Sequence, residues 1–311
     1  MILGKGVAPK EKNMKKFFGK DSTQAVLMLL PILIGFFTFT YFPLLYIVRF
    51  SITDSNGFIA NFVGLDNFVR AFTRDPAFWV AVNNTLILTF GKLAVEIPLA
   101  LFLAVLLNKK IKFSNLYRVT LFLPSIISTA IVGIIFTLMF AAFRGVVNTI
   151  LMDIGLITIP IDWFATRWRA LFVLGSASVW TFTGINVVFF LMALQGIPKD
   201  VYEAADLDGA VGFRRFIFIT LPMIGPVFRV ILLNAIIGSI QVTDLVLAGT
   251  NGAPFGQTEV IMTHIFKFFF AQDGRRMEVG YASALAVITA FILGIITVIY
   301  LRVTKKLDAN A

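Results

Sequence analysis

The chain has 311 residues, 58% of them apolar and 14% charged, with a mean hydropathy of +0.89. A soluble domain averages roughly 45–50% apolar and about 25% charged residues, so a soluble globule is excluded at the outset. Zero cysteines remove disulfide frameworks and thiolate metal sites, one histidine leaves little imidazole chemistry, and the net charge of +10 must be placed on a largely apolar chain.

A membrane-spanning helix needs about 20 mainly apolar residues. Six runs qualify: Ala25 to Arg49, Ala81 to Leu107, Leu116 to Ala141, Leu171 to Leu194, Met223 to Ala248 and Tyr281 to Leu301. The first follows the basic leader 1–24 with Lys5, Lys10, Lys12, Lys15, Lys16 and Lys20; its apolar stretch is too long for a signal-peptide core and no small-residue cleavage site closes it. It reads as a retained first span. The predicted architecture is all-α, a polytopic protein with a six-helix membrane domain over 25–301 and a short tail at 302–311.

Putting the N-terminus inside places Lys109, Lys110, Lys112, Arg118, Lys199, Arg214, Arg215, Arg302, Lys305 and Lys306 on the same side as the leader. The inner loops then carry +9 and the outer loops +1, as the positive-inside rule requires. The basic surplus is thus a topology signal, and nucleic acid is not an expected partner.

Four ionisable residues fall within the spans. Lys92 and Glu96 in the second are four apart on one helical face and form a mutually neutralising pair. Arg229 sits near the inner end of the fifth run and can snorkel. Asp244 lies near the outer end of that run with Gln241 and Thr243 beside it. These polar groups suit a hydrated cavity for a hydroxylated solute, or a helix end that meets interfacial water. Asn186 in the fourth span and Asn234 in the fifth complete the candidate solute path. Ser125 and Ser128 read as interhelical hydrogen-bonding groups. No G-x-x-x-x-G-K-[ST] loop occurs, so the chain lacks the phosphate cradle of P-loop ATPases, and catalytic sets for a membrane enzyme lack parts.

The loop between the fourth and fifth spans, 195–221, is the most informative segment. Pro198 ends the preceding helix, Asp200 is the expected N-cap of a short helix through Leu207, and Asp200 and Glu203 complement its dipole. Gly209 and Gly212 break it, and Pro222 and Pro226 open the next span. By composition alone this is an acid-fronted helix held at the membrane surface.

The order Glu203-Ala204-Ala205, Asp208-Gly209-Ala210, Phe216, Ile219, Leu221-Pro222 and Pro226 resembles the EAA motif of permease subunits from binding-protein-dependent ABC importers. Asn84-Thr85, Tyr117-Arg118, Leu123-Pro124-Ser125, Asp244-Leu245 and Gly280-Tyr281-Ala282-Ser283-Ala284 are similar to the carbohydrate branch, in its first-permease type as in maltose and glycerol-phosphate importers. The branch's G-G-G-P after the fifth span is replaced by Thr250-Asn251-Gly252-Ala253-Pro254, and no large external domain is present, so solute identity is not carried over.

The resemblance implies the type I importer permease fold in a bacterial inner membrane with both termini cytoplasmic. It implies a second homologous permease, two ABC ATPase subunits and an extracytoplasmic solute-binding protein as partners. ATP and Mg would be used on the ATPase subunits, with no cofactor bound by this chain. Carried over residue by residue, Glu203, Ala204, Ala205, Asp208, Gly209 and Pro222 make the ATPase-coupling surface. His264, beside Phe266 and Phe268 to Phe270, is expected as a loop residue near the binding-protein docking surface. The rival reading is a stand-alone secondary transporter, which needs repeated halves and its own ion-coupling site; no clear repeat is seen. A membrane enzyme is the second rival.

Overall fold

A computed structural model describes residues 20–109 and 112–309. The leader lysines Lys5, Lys10, Lys12, Lys15 and Lys16, together with Lys110, lie outside the described residues.

The first span is α1 (Lys20–Phe36), a π turn at Phe37–Tyr41 and α2 (Phe42–Phe50). The π turn has a cause: Pro43 lacks an N–H, and its ring crowds the carbonyl four residues back, at Phe39, so the helix widens there. A short antiparallel hairpin follows, β1 (Thr53–Ser55) paired with β2 (Ala60–Phe62), then α3 (Asp66–Thr73). The second span, α4 (Pro76–Leu107), starts as a helix should: Asp75 accepts a hydrogen bond from the Phe78 amide at 3.1 Å and Pro76 occupies the first turn.

The third apolar run is not one helix. It forms α5 (Ser114–Phe122), a 3₁₀ turn at Leu123–Ile126 and α6 (Thr129–Met139), and the two helices are bent by 96°. Pro124 interrupts the amide ladder, Ser125 Oγ turns back to the Phe122 carbonyl at 2.6 Å, and Ile127 is extended. Next come α7 (Val146–Asp153) and the fourth span, α8 (Arg167–Gln195). The loop helix α9 (Lys199–Leu207) leads to α10 (Gly212–Arg215), a second π turn at Phe216–Thr220 and α11 (Leu221–Ile240). Pro222 stands to Phe218 as Pro43 does to Phe39. The helix from Gly212 to Ile240 is continuous over 29 residues.

The fifth run also ends sooner than its apolarity predicts. After Ile240 the chain turns, and α12 (Asp244–Gly249) is a separate short helix. It is followed by α13 (Ile261–Phe269) and α14 (Val279–Ala309), the sixth span, which continues helical through most of the expected tail. Among the described residues, five helices are long and apolar enough to cross a membrane, or six with the bent α5–α6 pair counted as one span.

Burial identifies the hub. In the most apolar window of α8, 56% is buried within the chain, against 39% for α4, 17% for the α10–α11 helix and none for the first span. One core joins α4, α8 and α11 through Leu93, Ile97, Phe190, Leu191 and Ile231. A second joins α4, α13 and α14 through Phe78, Val82, Ile265 and Leu285; a third joins α6, α8 and α12 through Val132, Leu174 and Leu245. Small residues permit the tight crossings, as expected where helices pack without a hydrophobic drive between them. A Cβ on Gly184 of α8 would lie 1.9 Å from the Leu121 carbonyl oxygen of α5, and one on Gly133 of α6 would lie 2.7 Å from that of Leu245 in α12.

Candidate functional site

The loop helix α9 sits at the end of the bundle where α4, α8 and α14 finish. It begins at Lys199 with Pro198 in the N-cap position, so Asp200 lies in the first turn and does not cap. Its exit is a Schellman closure. Gly209 adopts φ +70°, its amide donates to Asp206 O at 3.2 Å, and the Ala210 amide donates to Ala205 O at 2.8 Å. Only glycine takes this conformation without strain. Arg215 Nη1 donates to Asp206 Oδ1 at 2.6 Å and its guanidinium lies over the Tyr202 ring, fastening the helix to the start of the next span.

Ala205 is 3% exposed and turns into the protein. Glu203, Ala204, Asp208 and Gly209 all face outward. Between them stands Leu207, 91% exposed. Val211 and Phe213, just beyond it in the chain, are exposed as well, so this segment carries three bare apolar side chains. Residue-type reasoning passed over Leu207 because a leucine in that loop is unremarkable until its direction is known. Pro222 opens α11 and is exposed.

The solute-path candidates separate into two groups. Asn186 is buried, and its Nδ2 donates to Glu96 Oε1. Glu96 Oε2 is 3.3 Å from Lys92 Nζ, which also donates to Ser239 Oγ of α11 at 3.1 Å and lies 4.2 Å from the centre of the Phe182 ring. Asn186 therefore serves a buried node that ties α4 to α8 and α11. Arg229 does not reach outward alone: its Nη1 donates to Thr304 O at 3.3 Å, and Tyr300 Oη donates to Arg229 O at 2.6 Å, joining α11 to α14.

Asn234, Gln241 and Asp244 are exposed. Met223, Val227, Val230, Asn234, Gly238 and Gln241 make one exposed line along α11 at helical spacing, apolar toward α9 and polar toward the other end. Asn234 borders a groove of about 430 Å³ between α8 and α11. Gln241 closes α11 and Asp244 opens α12, so the two flank the turn between helices. A larger cavity of about 810 Å³ lies among α4, α5 and α8, walled by residues such as Leu88, Trp168, Phe172 and Trp180. The hydroxyls of Thr120, Ser176 and Thr183 at its wall donate to their own helix backbones, leaving an apolar surface.

At the opposite end from α9, Asn84 Nδ2 donates to the carbonyls of Gln257 and Glu259, both at 2.7 Å, and Thr85 Oγ1 accepts from the Ile261 amide at 3.0 Å. The Asn84-Thr85 pair thus pins the loop before α13 to α4. Gly280 lets α14 reach β1, where a Cβ would lie 1.9 Å from Thr53 O. His264 is not a loop residue. It lies on α13, 1% exposed, among Asp75, Glu259, Lys267 and Arg275. Burial raises the Glu259 carboxyl, but hydrogen bonds from His264 and Lys267 overcome this and hold it at about 2. Asp75 is likewise held well below the usual carboxylate range: burial opposes, and hydrogen bonds from His264 and Tyr281 prevail.

Residues 96–309 match a family model described as binding-protein-dependent transport system inner membrane component. The arabinooligosaccharides transport system permease protein AraP of Bacillus subtilis is 30% identical over 96% of this chain and 93% of its own length. The lactose transport system permease protein LacF of Rhizobium radiobacter is 36% identical over 75% of this chain and 78% of its own. Among solved structures, a bacterial alginate ABC transporter in complex with an alginate pentasaccharide-bound periplasmic protein aligns with a TM-score of 0.81 and 25% identity, covering 96% of this chain and 98% of the matched one.

Proposed function

The chain belongs to the binding-protein-dependent transport system inner membrane component family, as a permease of the sugar ABC importer type, and on that footing we propose how its surfaces divide the work. The exposed face of α9, with Glu203, Ala204, Leu207, Asp208 and Gly209, docks into a separate ATPase subunit. Leu207 supplies the apolar anchor and Glu203 the charge. Gly209 fixes the turn that returns the chain to the membrane.

The observation that carries this reading is the outward, rigidly closed α9 helix joined through Arg215–Asp206 to a continuous span. Nucleotide-driven movement of the ATPases would act on α9 and, through the 29-residue helix behind it, on Asn234 and Gln241. Those residues, with Asp244, form this chain's half of a path for a sugar or sugar-like solute. A second permease supplies the other half. Two surfaces support that partner: the first span, whose apolar window is wholly unburied, and the largely apolar cavity among α4, α5 and α8. The charge asymmetry of the loops supports cytoplasmic termini, with α9 inside and α13 outside facing a solute-binding protein.

The test is co-expression with the genomic neighbours and reconstitution in vesicles. Gly209→Asp or Glu203→Lys should abolish ATP-dependent uptake while membrane insertion stays normal. Sugar uptake without ATP, or preserved ATP-driven uptake in either variant, would overturn the assignment.

A further inference from the structure

The end of the bundle that carries α13 holds a closed set of charges around the chain's single histidine. His264 Nδ1 lies 2.8 Å from Glu259 Oε2, and Nε2 lies 3.0 Å from Asp75 Oδ2. Each contact needs a proton, because two lone pairs do not face one another at hydrogen-bond distance. A neutral imidazole carries a single N–H. The arrangement is therefore an imidazolium between two carboxylates, or a neutral ring with one carboxylic acid.

The remaining partners of the two acids decide between these. Asp75 accepts from the Tyr281 hydroxyl at 2.7 Å and from the Phe78 amide. Glu259 Oε1 accepts from Lys267 Nζ at 3.0 Å, and Arg275 Nη2 reaches both of its oxygens at 3.3 Å. All are donors, and donors favour the ionised carboxylate. Arg275 Nη1 also stands 3.3 Å from Nδ1, but a proton on that line would leave the shorter 2.8 Å contact between Nδ1 and Glu259 Oε2 without one.

The charge inventory around the ring points the same way. Lys267 shares α13, Asp75 precedes α4, Glu259 precedes α13, Asp273 and Arg275 follow it, and Glu278 stands before α14 on an ion pair with Arg70 of α3. Four carboxylates meet three side-chain cations, and the imidazolium is the fourth. The ring's apolar faces meet Phe78 and Phe268.

We propose that His264 is a positioning residue which, as an imidazolium at neutral pH, clamps α13 to the leading ends of α4 and α14 and so holds the outer face of the permease in register. That this face receives the binding protein rests on the proposed function; the charge state does not. Burial opposes the charge, the hydrogen bonds to Asp75 and Glu259 outweigh it, and the histidine is raised above its ordinary value. With the folded value raised, the clamp's contribution is complete below the unfolded value of about 6.5 and is lost as pH climbs through the folded one.

A single histidine makes the test direct. In the full-length chain, purified with a tag free of histidine and labelled with ¹⁵N-histidine, both ring nitrogens should give imidazolium signals at pH 7.5 and titrate only in alkaline medium. A neutral tautomer at pH 7.5 overturns the proposal. The thermal midpoint of wild type should exceed that of His264→Gln most at acid and neutral pH, with the gap closing in alkali; a gap independent of pH overturns it. Should that variant not fold, Glu259→Gln should move the histidine titration to lower pH, and an unmoved titration counts against the clamp. Imidazolium signals in a chain that imports no sugar with ATP would uphold the clamp and refute the transport reading.

Discussion

Removing the ammonium of Lys92 while keeping its length, as Lys92→Met, leaves Glu96 unpaired in the protein interior, where its side chain is 1% exposed. At 3.3 Å the pair's attraction is about 5 kcal/mol for an effective dielectric of about 20. Desolvation of several kcal/mol per ion cancels most of that gain. The pair as a whole is therefore near break-even, but a lone survivor is not. Lys92→Met should cost about 3–5 kcal/mol. Adding Glu96→Leu removes the stranded carboxylate and leaves only the Asn186 amide without its acceptor, a cost of about 1–3 kcal/mol; Ser239 keeps its bond to Ala235 O at 2.6 Å. The double variant should thus be more stable than the single one. Denaturant titration of the purified chain in mixed micelles, followed by circular dichroism, measures the order. If the double variant were less stable than Lys92→Met, the node would be a net source of stability and the reasoning would fail.

Leu207→Glu should prevent co-purification of the ATPase subunits while changing the stability of the chain itself by no more than about 0.5 kcal/mol, since the side chain touches little in the isolated protein; pull-down and thermal denaturation separate the two effects. Gly184→Ala should force α5 away from α8, because its new methyl would lie 1.9 Å from a backbone oxygen. The cost of overpacking is about 1–3 kcal/mol, read as a lowered thermal midpoint.

The spans were legible because a bilayer demands an unbroken apolar run: α4 and α8 start and stop close to the runs that announce them, and α14 starts with its run but carries on through Ala309, past the expected end at Leu301. Apolarity carries no direction, however. The 96° bend inside the third run follows from Pro124, a residue visible in the sequence that hydropathy averages away. The fifth run hides a break as well: the helix ends at Ile240, while the apolar stretch continues to Ala248. Around α9 the breakers were informative, Pro198 before it and Gly209 after it. Asp200 misled because an acid in the first turn and an acid at the cap satisfy the same local preference. The cluster at His264 was out of reach, since Asp75 and Tyr281 meet there from positions 206 residues apart. Its local trace, three titratable residues within the apolar stretch from Glu259 to Lys267, was nonetheless available.

The helix from Gly212 to Ile240 has one more property. At 1.5 Å per residue, 29 residues make a rod about 43 Å long. Pivoted at its inner end, such a rod turns a tilt of about 5° into a sweep of about 4 Å at Gln241. Asp244, three residues further on, does not belong to the rod: α12 is seated on α6, where Thr137 Oγ1 donates to Gly249 O at 2.8 Å. The turn at Gln241–Thr243 is therefore a seam between two helices with different footings, and any tilt of the long one about its inner end is largest there.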